Sequence, residues 1–283
     1  MMRPELAIAQ SLVIVDGSGP TVVAKSDDFL PAWETGASAA CVRFGRRPAG
    51  VACQGAVFAC PVGKAHVAVV QVADLPAAAA ETVPLGFRFL VFVRATYEAL
   101  GDPFAIADRF PPNWAARGSL PPLEWPPEPL PPRTVEDVTR VLKSGDMALL
   151  LGGAQSLIDG GRLVLESRQP NEGFVRGLWQ LLPSRTRGDL WPASFAFSID
   201  LGFHVAVVPE PPVPWPPGHL TEDQARDYPE GRYELAIQTA VESGNQSDLD
   251  TLLARRSSRD TLRLALYMLA AAVVLAVASK LFF

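Results

Sequence analysis

Hydrophobic and polar positions change rhythm along this chain, and the change divides it. Up to residue 94 the apolar residues come in short runs or alternate with polar ones, as in β-strands. Glu5–Asp16 (ELAIAQSLVIVD) and Pro20–Lys25 (PTVVAK) predict strands around a turn at Asp16–Gly19. Asp27–Ala40 predicts a short helix, interrupted by Pro31 or beginning there. Ala56–Cys60 and Ala65–Val72 predict two strands joined by the turn Pro61–Lys64. Phe87–Arg94 (FRFLVFVR) is mostly apolar, which predicts a central strand. Ala95–Leu100 predicts a helical turn leading into Asp102-Pro103-Phe104.

Residues 111–132 contain nine prolines, which excludes regular helix and central strand. The segment predicts an extended, polyproline-like crossing that packs on its own domain, pinned by Trp114 and Trp125. Its PPLEWPP and PLPPR stretches also resemble segments that proline-recognition domains bind. From residue 134 the period becomes helical. Thr134 predicts an N-cap for Val135–Lys143, with Glu136 and Asp137 in the first turn. Asp146–Leu157 predicts a buried helix despite Gly152-Gly153, and Arg162–Glu166 a strand. Asn171–Leu182 carries Phe174, Leu178, Trp179 and Leu182 at helical spacing, stopped by Pro183, with Trp179 as a core anchor. Ser194–Ile199 and Phe203–Val208 predict two more strands.

Pro209–Pro217 holds six prolines in nine positions and predicts a domain boundary. Beyond it, Thr221–Tyr228 and Arg232–Glu242 predict helices, and Ser247 with Asp250 predicts the start of another. No internal repeat is visible. The fold expected is α+β: one mixed cytoplasmic domain over 1–208, a proline-rich linker over 209–219, a helical segment over 220–258 and a C-terminal transmembrane helix over 262–283. The last expectation rests on Leu264–Ser279, sixteen residues without a charge. Arg255, Arg256, Arg259 and Arg263 precede that run and would keep their side cytoplasmic. Lys280 would reach the far headgroups. The corresponding location is the cell inner membrane, single-pass, with lipids as partners. Ala272 and Ala276, four apart, would allow weak self-association into a homodimer.

Composition then narrows the function. Hydrophobic residues make up 48% of the chain, enough for a real core. Residues 255–283 carry +4, so a net charge of −5 leaves −9 on the rest, which argues against a nucleic-acid partner. Cys41, Cys53 and Cys60 are odd in number and lack CxxC spacing, which predicts buried reduced thiols. The N-terminus lacks the shape of a signal peptide. His66, His204 and His219 have no partners at metal-ligand spacing. The glycine pairs Gly152-Gly153 and Gly160-Gly161 lack the Gly-Lys-Ser/Thr of a phosphate loop, and Asp16-Gly17-Ser18-Gly19 is not a nucleophile elbow. Asp27-Asp28 and Glu222-Asp223 sit at helix starts, where acids favour the dipole. No catalytic, cofactor-binding or metal-ligating residue emerges and no cofactor is implied. The reading is a membrane-tethered adaptor rather than an enzyme. The alternatives are a hydrolase or transferase with an unrecognised site, and a structural membrane-anchored protein.

One set of motifs resembles a known family. Leu178-Trp179-Gln180-Leu181-Leu182-Pro183-Ser184, followed by Ala193-Ser194-Phe195-Ala196-Phe197-Ser198, is similar to a signature in the N-terminal domain of bacterial GTPase-associated proteins. Those proteins belong to a ternary system with a GTPase, a von Willebrand factor A-like protein and an ATPase. The order Leu90-Val91-Phe92-Val93, Tyr97-Glu98-Ala99-Leu100, Asp102-Pro103-Phe104 and Trp114 also resembles that domain, over about residues 10–208. The family's usual tyrosine–phenylalanine–histidine segment is replaced by Gly86-Phe87-Arg88-Phe89. The resemblance implies an adaptor or scaffold near a GTPase-regulated complex, with a GTPase and its associated ATPase complex as partners. It carries over no catalytic residue.

Overall fold

The computed structural model describes residues 7–76, 83–126 and 128–254. Its first half is an antiparallel sheet built around one strand. A hairpin, β1 (Ala7–Asp16) and β2 (Gly19–Ser26), turns at Gly19, where φ is 108°. Helix α1 (Pro31–Arg43) then crosses over with Pro31 at its start, and β3 (Ala56–Val62), β4 (His66–Asp74) and β5 (Leu85–Val93) follow as a meander. β5 lies between β4 and β1, and Leu85–Phe92 is buried without interruption. The mostly apolar run therefore is a central strand, as its pattern predicts.

Past β5 come two short helices, α2 (Arg94–Leu100) and α3 (Pro103–Arg109), separated by Gly101 in the left-handed region at φ 61°. Asp102 caps α3, accepting from the backbone N–H of Phe104 and Ala105. The proline-rich crossing follows as a strap. Two pieces of it join the sheet, β6 (Gly118–Leu120) beside β2 and β7 (Leu123–Glu124) beside the start of β1. Both tryptophans pin it. Trp114 lies over Gly86, where an added Cβ would fall 2.8 Å from the indole. Trp125 meets Phe110 edge-on and lies under the Arg109 guanidinium, 4.9 Å away.

The second half adds a parallel extension. α4 (Val135–Ser144), capped by Thr134, leads to α5 (Met147–Ile158), capped by Asp146, then to β8 (Arg162–Glu166), α6 (Glu172–Leu181) and α7 (Ser184–Asp189). β9 (Pro192–Ala193) joins this part to β3, β10 (Val205–Val208) lies parallel to both β9 and β8, and β11 (His219–Leu220) lies parallel to β8. The sheet order is β11-β8-β10-β9-β3-β4-β5-β1-β2-β6, eleven strands with β7. α8 (Glu222–Arg226), α9 (Arg232–Glu242) and α10 (Gln246–Leu253) close the described chain.

Several expectations are corrected. Ser194–Ile199 is not a strand. Ser194, Ala196 and Phe197 donate their backbone N–H to Val57, Val207 and Phe44, three separate elements, so no ladder forms. α10 is capped two residues earlier than Ser247 suggests, because Asn245 accepts from the backbone N–H of Ser247 and Asp248. α7 was not foreseen after Pro183. Nor do the helices after the second proline segment stand apart. β11 pairs with β8, and Ala225, Tyr233, Ile237, Leu249 and Leu253 belong to the same buried cluster as Leu163 and Trp179.

Gly152 makes this close approach possible. A Cβ there would fall 2.0 Å from the Ala225 carbonyl oxygen, so α8 rests directly on α5. Over the described residues the fold is thus a mixed α/β domain with a large sheet, not an α+β body with a helical appendage. Among the described residues no helix is long and apolar enough to cross a membrane. The inner-membrane and transmembrane expectations are withdrawn on that finding. The segment 262–283, with Arg255, Arg256, Arg259, Arg263, Ala272, Ala276 and Lys280, lies outside the described residues.

Candidate functional site

A recess of about 730 Å³ opens where α2, α3, α4, α6, α7 and α10 converge on the strap residues Pro129–Pro132. Its position follows from local signals. Gly101 turns the chain so that Asp102 enters, and Pro183 ends α6 so that Ser184 and Arg187 enter on α7. A ladder of rings stiffens the wall: the Arg176 guanidinium lies 5.2 Å from the Phe104 ring, which meets Trp179 edge-on at 6.3 Å. Trp179, 1% exposed, donates its Nε1–H to the Gly101 carbonyl at 3.0 Å. It is the core anchor its spacing predicts.

The cleft is lined by four aspartates and three arginines. Arg176 holds Asp108 through two bonds of 2.7 Å, and also pairs with Glu172. Burial pulls the Arg176 pKa down, but these carboxylates outweigh it and the net shift is upward. The Arg176–Asp108 pair also borders a second recess of about 240 Å³, beside Trp114 and Gln71. Arg187 is 6% exposed and pairs with Asp102 at 3.1 Å. Burial lowers its pKa and Asp102 opposes the shift. Asp137 is held by Arg140 and Thr134.

Arg133 differs from the other two arginines. Its Nη1 donates to the carbonyls of Gln180 and Leu182, at the end of α6, and its Nη2 donates to Ser184 Oγ at 2.7 Å. Among the described residues no carboxylate pairs with it. Burial, followed by the nearby Arg187 charge, pulls its pKa down to about 9, while the charges of Asp102 and Asp250 oppose the shift. α10 supplies the opposite case. Asp250 accepts from Gln246 Nε2 at 2.7 Å, and no cation among the described residues pairs with it. The same Gln246 nitrogen donates to the Arg133 carbonyl at 3.1 Å, and Gln246 Oε1 accepts from Val135 N–H at 2.9 Å. One amide thus ties α10 to the start of α4 and sets Asp250 beside Arg133.

No histidine or cysteine lines this cleft. His66 meets Trp33 at 4.8 Å. His204 Nδ1 accepts from Trp191 N–H at 3.0 Å, and His219 Nδ1 lies 3.3 Å from the Pro217 carbonyl oxygen. Among the described residues no group of three or more His, Cys, Asp or Glu is placed to hold a metal ion. Cys41, Cys53 and Cys60 are free and buried. Burial, then the Asp74 charge, pushes the Cys53 thiol up to about 12, and burial does the same to Cys60. Ser184 is the cleft's hydroxyl, and the partner it has there is a guanidinium rather than a base. The arrangement assembles no nucleophile–base pair. It presents charge and shape.

Sequence reasoning missed this site. Arg133 closes the PLPPR stretch and Asp250 sits in a predicted helix, but no local pattern joins them. The fold and cleft define a mixed α/β domain with a charged recess. The chain matches no family model, no curated protein and no solved structure.

Proposed function

We propose that this protein is an adaptor that binds a protein partner in the cleft between the strap and α10. The observation that carries this reading is the recess itself: about 730 Å³, walled by helix ends and Pro129–Pro132, without a nucleophile–base pair and with charges left to be matched. Prolines stiffen the wall, so little ordering entropy is lost on docking. The resemblance to the GTPase-associated family supports a partner from such a bacterial system, a GTPase or its associated ATPase complex.

Site-specific photocrosslinking in cells tests the proposal. A photoreactive residue in place of exposed Ala254, at the cleft, should give a protein adduct that the same residue at Thr21, on β2, does not. The partner, identified and purified, should rebind the purified chain, and Asp250→Lys should weaken that binding. Equal adducts at both positions, or rebinding that Asp250→Lys leaves unchanged, would overturn it.

A further inference from the structure

We infer that the cleft recognises a partner segment carrying a carboxylate side chain close to a basic one, the acid held by Arg133 beside Arg187 and the base by Asp250. This rests on the adaptor reading above and specifies its ligand.

The argument is an accounting of charge. Asp102, Asp108 and Asp137 each have an arginine partner. Removing those pairs leaves one guanidinium, Arg133, and one carboxylate, Asp250. Gln246 donates to the Arg133 main-chain carbonyl and to the Asp250 carboxylate, and the Asp250 charge acts on the Arg133 guanidinium, so the two flank one stretch of the cleft. The guanidinium has donors to spare. Arg133 spends Nη1 on two carbonyls and Nη2 on one hydroxyl, and a guanidinium carries five N–H groups in a fixed fork. Arg187 adds a second such group, 94% buried, whose Nε has no partner among the described residues. A half-buried and a buried guanidinium side by side, both with unspent donors, favour an incoming oxyanion.

The rim decides which oxyanion. With Asp137 neutralised by Arg140, the cleft has no net positive charge to hold a phosphate dianion or a nucleic-acid backbone. A single carboxylate accompanied by a cation adds no net charge and matches both unpaired groups. An extended residue spans about 3.3 Å, so acid and base about one to three residues apart would reach both. Leu130 and Leu253, also on the wall, suit small apolar residues between them.

The experiment is fluorescence polarisation of the full chain with labelled synthetic peptides in one neutral frame, carrying Glu and Lys, Glu alone, Lys alone, phosphoserine and Lys, or no charge. The Glu–Lys peptide should bind about tenfold or more tightly than either single-charge peptide, the gain of about one charge-assisted hydrogen bond. Asp250→Lys, an exposed change, should abolish the preference for Lys and select a peptide with Glu at that position instead. Arg133→Gln should remove the contribution of Glu. Because Arg133 also braces α6, Arg133→Lys serves if the glutamine variant melts early, and it should retain part of that contribution. Equal binding of single-charge and Glu–Lys peptides, tightest binding of the phosphoserine peptide, or an unchanged preference in Asp250→Lys would overturn the inference. If no peptide binds while the Ala254 adduct persists, the ligand assignment fails and the adaptor reading stands. If the adduct is also missing, both fail.

Discussion

Arg88 on β5 donates Nη2–H to Gln10 Oε1 on β1 at 2.8 Å, although both lie inside the sheet. The same guanidinium reaches Gln71 Oε1 on β4 at 3.3 Å and the carbonyls of Phe110 and Pro111. Gln71 and Leu12 stand directly opposite Arg88, so the polar row lies on one sheet face, the face the strap covers. Gln10 and Gln71 complete it by donating to the carbonyls of Pro121 and Ala107. Prolines cannot donate backbone N–H, so buried side-chain donors hold the strap by its carbonyls. Burial pulls the Arg88 pKa down to about 10, still charged at neutral pH.

Arg88→Met should therefore destabilise the fold by about 2–4 kcal/mol, because buried acceptors lose their donor. It should also expose residues 111–126 to limited proteolysis. Urea unfolding measures the first effect and the cleavage pattern the second. A variant as stable as the parent, with an uncut strap, would show that the row is dispensable.

Gly152→Ala sets two terms against each other. Alanine favours helix over glycine by about 1 kcal/mol. The new Cβ, however, lies 2.0 Å from the Ala225 carbonyl oxygen, backbone that must move. The clash should win, giving a net loss of about 1–3 kcal/mol. A gain in chemical-denaturation stability would mean that α8 sits farther from α5 than described.

Trp179→Ala should cost about 3–5 kcal/mol, since the indole is buried against Phe104 and holds the Gly101 carbonyl. Calorimetry or urea titration would check this. A loss below about 1 kcal/mol is incompatible with a core position.

His204 should make stability depend on acid. Burial, then the charges of Arg162 and His219, pulls its pKa from 6.5 to about 4. Its Nδ1 accepts from Trp191 N–H, so the fold needs the neutral ring. On acidification the unfolded chain takes up this proton first. The contribution is complete above pH 6.5 and disappears as pH falls through 4, at most about 3 kcal/mol. His204→Asn keeps an acceptor near Nδ1 and does not titrate. Its unfolding free energy should fall less between pH 7 and pH 4, and parallel curves for both proteins would discard the assignment.

What the sequence alone determined is what neighbours along the chain decide. β5 reads as central because its positions are mostly apolar. Thr134, Asp146 and Asn171 read as helix starts because their side chains satisfy N–H groups within one turn. Trp179 reads as core from its helical spacing. Tertiary structure alone decided what distant residues do to one another. Arg88 and Gln71 each look like misplaced polar residues in apolar strands until α3 and the start of the strap supply their carbonyls. Gly152 looks like a helix defect until α8 arrives. Arg133 and Asp250 come to line one cleft because the Gln246 amide donates to the Arg133 main-chain carbonyl and to the Asp250 carboxylate, and periodicity records which face of an element is buried, not which partner buries it.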